Sequence, residues 1–233
     1  MKVHILKSKI NKIVIGFIFI LLFFVFNNLV ISLLSFLGLD LTKLPLIPRQ
    51  IVATLISLIF PILMIITYRK DLIKDFKKIK DNFRKYLEVS ILAYVIGMGL
   101  MVISNLIIQL GFNQQIAGNE QGVRELINSL PIYMTISACF VGPFQEEMIF
   151  RKIFKDIIEN KVLFVIISAL VFGSLHVIGN TNSFLEFLYI IPYGVLGGTF
   201  AYIYSKTDNI WVPIIIHVAH NTILVAIQLL AVI

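Results

Sequence analysis

A chain of 233 residues that is 58% hydrophobic and only 14% charged, with a mean hydropathy of +0.93, holds more apolar surface than one water-soluble core of that length can hide. An ordinary globular domain is therefore excluded, and lipid is the solvent for much of the chain. The net charge of +7 is dispersed among the connections between apolar runs rather than gathered into a nucleic-acid footprint, so no nucleic-acid partner is expected.

A helix needs about 20 apolar residues to cross a hydrocarbon core of about 30 Å. Seven stretches meet that requirement, at roughly 13–38, 50–68, 87–110, 130–157, 162–178, 184–205 and 210–232. The first follows Lys2, Lys7, Lys9 and Lys12 in the manner of a secretory signal. Its apolar run is too long for one and no small-residue cleavage site follows, so it is expected to remain as a helix.

Between the second and third stretches, 69–85 is basic and carries Leu72, Ile73, Phe76, Ile79 and Phe83 at helical spacing. That is the pattern of an amphipathic helix on an anionic membrane surface, or equally of a solvated connection whose charge sets topology. The polar stretch from Gly111 to Ser129 predicts a loop with a short helix around Val123 to Asn128.

With the N-terminus in the cytoplasm, every Lys and Arg except Lys43, Arg49 and Arg124 falls on the cytoplasmic side, the asymmetry of the positive-inside rule. The predicted fold is an all-α polytopic bundle of about seven transmembrane helices, N-in and C-out, in the cell membrane. It forms a single integral domain over 1–233, with helices one to three in 1–110 and helices four to seven in 130–233.

The ionisable residues are unevenly shared. Helices one to three hold hardly any, whereas the later spans hold Glu146, Glu147, Arg151, His176, Glu186, His217 and His220. Such groups are costly in a bilayer unless paired or facing a wet cavity, so their concentration marks a candidate site.

In the fourth span Glu147 and Arg151 stand at i,i+4 with the acid N-terminal, the favourable order for a helical ion pair. Glu146 points about 100° away and is left unpaired on its own helix, as a general base would be. Pro143 lacks an N–H and is expected to free the carbonyl of Cys139 one turn back. The lone Cys139 itself permits no disulfide and reads as helix packing.

In the fifth span Phe172 and His176 share a face, with Gly173 and Ser174 allowing a close helix approach. In the seventh, His217 and Asn221 share a face with His220 beside them. Counted from the turn near Asn160, Glu146 and His176 lie at similar depth, about 21 and 24 Å at 1.5 Å per residue. His217, only about 10 Å into its helix, matches that depth if the hairpin projects or the helices tilt.

Glu146-Glu147 with Arg151, Phe172 with His176, and His217 with Asn221 resemble, in order, the three motifs of the CAAX-processing and bacteriocin-processing (CPBP) family of intramembrane proteases. That family is also called the Abi or type II CAAX prenyl endopeptidase family. The resemblance covers about the last 100 residues. It implies a helical bundle with a conical cavity open to the cytosol, and an endopeptidase acting on membrane-associated peptides or proteins by glutamate-activated water. Many members have eight spans where this chain shows seven.

Carried over, the pattern makes Glu146 the general base, acting on water with His176, while His217 and Asn221 stabilise the oxyanion. Glu147 and Arg151 become a structural pair, Phe172 packs against the site, and His220 has no role. No cofactor is implied. The residues alone also allow Glu146, His176 and His217 as three ligands of a catalytic zinc, although no His-Glu-x-x-His helix is present.

Two other classes fit an intramembrane Glu and His set: a proton-coupled transporter, and a catalytically silent bacteriocin-immunity or regulatory scaffold. No internal repeat of the kind transporters show is present, and a scaffold has less need of all four polar residues.

Overall fold

The computed structural model describes residues 2–114, 116–181 and 183–231, with the side chains of 2–9 and 231 outside that description, among them Lys2, Lys7 and Lys9. Helix α1 spans Lys2–Phe36, α2 Leu46–Lys77, α3 Ile79–Leu106 and α4 Gly118–Ser129. Residues 131–157 form one helical run, α5, followed by α6 (Lys161–Val177), α7 (Ile190–Thr207) and α8 (Trp211–Ala231). Among the described residues there is no strand. Large apolar side chains such as Leu21, Leu29, Leu55, Ile66, Leu92 and Ile103 are exposed along α1, α2 and α3. They are the surface that lipid covers in a multi-pass membrane protein.

Among the described residues four helical runs are long and apolar enough to cross a membrane: Ile10–Phe36, Leu46–Gly111, Phe184–Thr207 and Trp211–Leu230. The expected spans 50–68 and 87–110 lie on the single run Leu46–Gly111, interrupted only by the turn at Lys78. The expected span 162–178 corresponds to the shorter apolar helix Lys161–Val177. The expected span 130–157 is helical from Pro131 but is not among the four, since its second half carries Glu146, Glu147, Arg151, Lys152, Lys155 and Asp156.

Two local expectations change. The basic segment 69–85 is not a separate amphipathic helix, because it comprises the end of α2 and the start of α3. Its apolar residues divide accordingly, with Leu72 buried and Ile73, Phe76 and Phe83 exposed. The connection 111–129 is more helical than expected, with α4 beginning at Gly118 and Arg124 pairing with Glu120 one turn back.

Helix ends are tied by side chains from elsewhere, which fixes where α5, α6 and α8 begin. The buried Gln50 of α2 accepts from the N–H groups of Ile132 (2.8 Å) and Tyr133 (3.3 Å), donors that the first turn of α5 cannot satisfy itself. Asn160 caps α6 by accepting from Val162 and Leu163 at 3.0 Å each. At α8 the N–H of Ile210 donates to the Asp75 carboxylate (3.2 Å), and the Trp211 indole donates to the Leu72 carbonyl (2.9 Å).

Helices α6 and α7 meet backbone to backbone. A Cβ on Gly173 would stand 2.5 Å from the Ile190 carbonyl oxygen, and one on Gly197 would stand 2.8 Å from the Phe172 side chain. Gly173 lets the two backbones approach closely, and Gly197 makes room for the Phe172 ring between them.

Candidate active site

Two carboxylates of α5 meet one buried imidazole of α8. His217 is 3% exposed, and its ring stacks on Phe200 with centroids 4.5 Å apart and planes 25° apart. Its Nδ1 lies 2.8 Å from Glu147 Oε1. Its Nε2 lies 3.8 Å from Glu146 Oε2. Because a carboxylate oxygen only accepts, Nδ1 carries the proton and Nε2 is left facing Glu146. The two adjacent carboxylates of α5 thus address the two nitrogens of one ring.

Glu147 serves a second partner. Arg151 Nε lies 3.0 Å from Glu147 Oε2, and both side chains are fully buried. The contact is an ion pair by distance but is poorly directed for a hydrogen bond, since Glu147 Oε2 and Arg151 Nε and Nη1 have no hydrogen-bond partner. Other contacts hold the guanidinium: Nη2 donates to the Gly197 carbonyl at 3.1 Å, and the group lies 4.8 Å from the Phe172 ring centroid and 5.6 Å from that of Phe200. Cation–π contact of this kind is worth about 2 kcal/mol when desolvated.

Glu146 is only partly buried and, among the described residues, has no hydrogen bond or ion pair besides its approach to His217. It is not within ion-pair distance of His176. That imidazole is partly buried on α6, stacked on Tyr193 (4.8 Å) and tilted against Phe172 (4.3 Å). Its Nδ1 donates to the Phe172 carbonyl at 2.8 Å, which fixes the tautomer and leaves Nε2 as an acceptor. Phe172 touches His176, Arg151 and, edge-on at 6.1 Å, His217. It is the apolar wall that joins them.

Asn221 is held by the shape of α5. Residues Ser137–Val141 form a wide π turn in which the Gly142 N–H bonds back to the Ser137 carbonyl. The next carbonyl, Ala138, would need the N–H of residue 143 in that register, and Pro143 has none. Asn221 Nδ2 supplies the missing donor at 2.8 Å. The freed carbonyl is therefore Ala138 and not Cys139, because the wide turn shifts the bonding by one residue.

Sequence reasoning left out Phe200, Tyr193 and the bond from Glu147 to His217. Nothing in the spacing of α7 singles out Phe200 or Tyr193 as neighbours of an imidazole, while Glu147 was accounted for by Arg151 alone. His220, which had no role, bonds through Nδ1 to the Tyr94 hydroxyl at 2.8 Å and meets the Phe200 ring edge-on at 6.4 Å.

Among the described residues no group of three His, Cys, Asp or Glu side chains stands close enough together to hold a metal ion. A separate hollow lies away from this site. It is apolar, lies between α3, α6 and α7, and none of Glu146, His176, His217 or Asn221 lines it.

The sequence profile of the family described as "Type II CAAX prenyl endopeptidase Rce1-like" matches residues 128–223, the stretch that contains every residue of the site. The chain is 35% identical over 114 residues to the Bacillus subtilis (strain 168) protein described as "Putative membrane peptidase YdiL", covering 48% of this chain and 43% of that one. It is 30% identical over 135 residues to "Membrane-embedded CAAX protease MroQ" of Staphylococcus aureus (strain USA300), covering 56% and 53%. The chain thus spans about half the length of the curated relatives it matches. No solved structure matches it.

Proposed function

From the match of residues 128–223 to the profile of the Rce1-like type II CAAX prenyl endopeptidases, we propose that this protein is a membrane peptidase. It hydrolyses peptide bonds of membrane-associated peptides or proteins with water activated by Glu146. The observation that carries the reading is the partly exposed Glu146 carboxylate set 3.8 Å from Nε2 of the buried His217.

A water beside that pair hydrogen-bonds to both acceptors and is held against the carbonyl of a peptide laid across the site. Glu146 takes a proton as the water oxygen bonds to the carbonyl carbon. It returns the proton to the amine as the C–N bond breaks, so the site ends as it began. His217 is kept in one orientation by Glu147, and Glu147 by Arg151. Asn221 uses one N–H on Ala138 and has a second for the developing oxyanion, a donor worth about 2.7–4 kcal/mol in a water-poor cavity. His176, whose Nε2 is the open nitrogen of its ring, is the alternative second acceptor for that water.

The basic connections support a site that opens on the cytoplasmic side of the membrane. A carboxylate base of this kind is expected to contribute about 10²–10⁴-fold to the rate. The test is reconstitution of the full chain with membrane-inserted peptide libraries, comparing wild type with Glu146→Gln, with and without a chelator. The expected result is cleavage that falls at least about 100-fold in the variant and is indifferent to chelation. Cleavage unchanged in the variant overturns the mechanism, and cleavage abolished by chelation replaces it with a zinc one.

A further inference from the structure

The apolar hollow between α3, α6 and α7 has a volume of about 660 Å³, within the roughly 300–1,000 Å³ that ligand sites occupy. It exists because its floor is built of small residues, Gly97 on α3, Ala169 on α6 and Gly194 and Gly198 on α7, between rims such as Leu92 and Ile191. In a bilayer this hollow faces hydrocarbon, and its occupant is apolar.

The two long walls run antiparallel. Asn209, just past α7, donates to the carbonyl of Asp75, just before α3, while Gly97 faces Thr199 in the middle of both helices. Along α3 the groove-lining residues Val89, Leu92 and Ile96 continue backwards by one turn to Lys85. Along α7 Ile191, Val195, Thr199 and Tyr202 continue forwards by one turn to Lys206. Both stripes therefore end on a lysine at the same mouth.

Lys85 and Lys206 are exposed, and neither has a carboxylate within ion-pair distance among the described residues. Lys206 lies over the Tyr202 ring at 5.3 Å. The nearby acids are otherwise engaged or apart: Arg84 Nε holds Glu88 at 2.8 Å, Lys155 holds Asp208, and Asp81, one turn before Lys85, makes no ion pair with it. An apolar trough whose two long walls each continue to an unpaired ammonium group has the layout of a phospholipid with a negative headgroup.

The geometry points to a binding site for one anionic phospholipid, with an acyl chain along the α3, α6 and α7 hollow and its phosphate between Lys85 and Lys206. The site is separate from the Glu146 and His217 cluster and does not depend on the activity proposed there.

Native mass spectrometry of the full chain in neutral detergent, titrated with phosphatidylglycerol and with phosphatidylcholine of the same chains, tests it. Wild type is expected to hold one phosphatidylglycerol in clear preference to phosphatidylcholine. Lys85→Gln with Lys206→Gln lowers phosphatidylglycerol affinity roughly 25-fold and leaves phosphatidylcholine unchanged. Val195→Phe, which fills the hollow, removes the bound lipid, and Ile191→Trp at the exposed rim is the substitute if that variant fails to fold.

The inference is overturned if the headgroup preference survives the double lysine variant, or if the lipid survives both filling variants. It is overturned equally if glycerol 3-phosphate without acyl chains competes as well as the intact lipid, or if the hollow proves to be the contact face of a dimer that Val195→Phe separates.

Discussion

Glu147 Oε1 accepts the Nδ1–H of His217 at 2.8 Å while its other oxygen lies 3.0 Å from Arg151 Nε, so one fully buried carboxylate links α5 to α8 and to the cation that α6 and α7 enclose. Removing one member of a buried ion pair leaves an uncompensated charge, whereas replacing both by apolar side chains does not. Glu147→Gln is therefore expected to lower stability by about 3–5 kcal/mol. The double variant Glu147→Leu, Arg151→Met is expected to cost clearly less than either single change, as measured by thermal unfolding in detergent. Additive losses would show that the pair is not the link.

Asn221 and Pro143 are coupled through the Ala138 carbonyl. Asn221→Ala strands a buried acceptor and is expected to cost about 1–3 kcal/mol. Pro143→Ala restores a backbone N–H in the position that the wide turn requires, and in that background the loss of Asn221 is expected to fall below about 1 kcal/mol. A double-mutant cycle on unfolding midpoints measures the difference.

Two glycines separate packing from helix propensity. A Cβ on Gly173 would stand 2.5 Å from the Ile190 carbonyl oxygen and 2.8 Å from the Gly194 nitrogen, backbone atoms that cannot step aside. Gly173→Ala is expected to cost about 1–3 kcal/mol. Gly99 has nothing within 4 Å, and Gly99→Ala is expected to be neutral or stabilising by up to about 1 kcal/mol. Unfolding of the two variants side by side decides the point, and equal effects would contradict it.

Asp208, in the connection between α7 and α8, supplies a pH effect of known sign. Partial burial acts to raise its pKa, but the hydrogen-bonded Lys155 ammonium outweighs it, and the carboxyl sits below its ordinary value of 3.8. The ion pair's stabilisation is thus fully present above about pH 4 and is lost as the pH falls through the folded value. With the Asp208 side chain 79% exposed, solvent screening limits it to about 0.5 kcal/mol or less. Asp208→Asn, which tolerates the left-handed backbone there (φ 48°), is expected to lie slightly below wild type at pH 7 and level with it at pH 3 in thermal melts.

Hydropathy made the helices legible, and i,i+4 spacing made the Glu147–Arg151 pair legible, because both depend on residues close together in the chain. The partners of His217 were not. Which nitrogen meets which carboxylate depends on where α8 starts, and that is set by Asp75 and Asn209, far apart in sequence. The aromatic bracket around Arg151 was equally hidden, since Phe200 lies in a helix whose other apolar residues look no different. The wide turn left only Pro143 as a trace, and proline alone does not say which carbonyl it strands.

That turn and its counterpart at Met148–Ile153 bracket the two carboxylates. Each gives α5 a phase offset that no single side chain supplies. Deleting one residue from Ser137–Val141 would make the helix more regular and would swing everything before it by about 100° relative to Glu146 and Glu147. Ile132 and Tyr133 would then lose Gln50, and Ala138 would lose Asn221. In this stretch the residue count is as much a determinant of the site as residue identity, and a one-residue deletion is a harsher change than any substitution there.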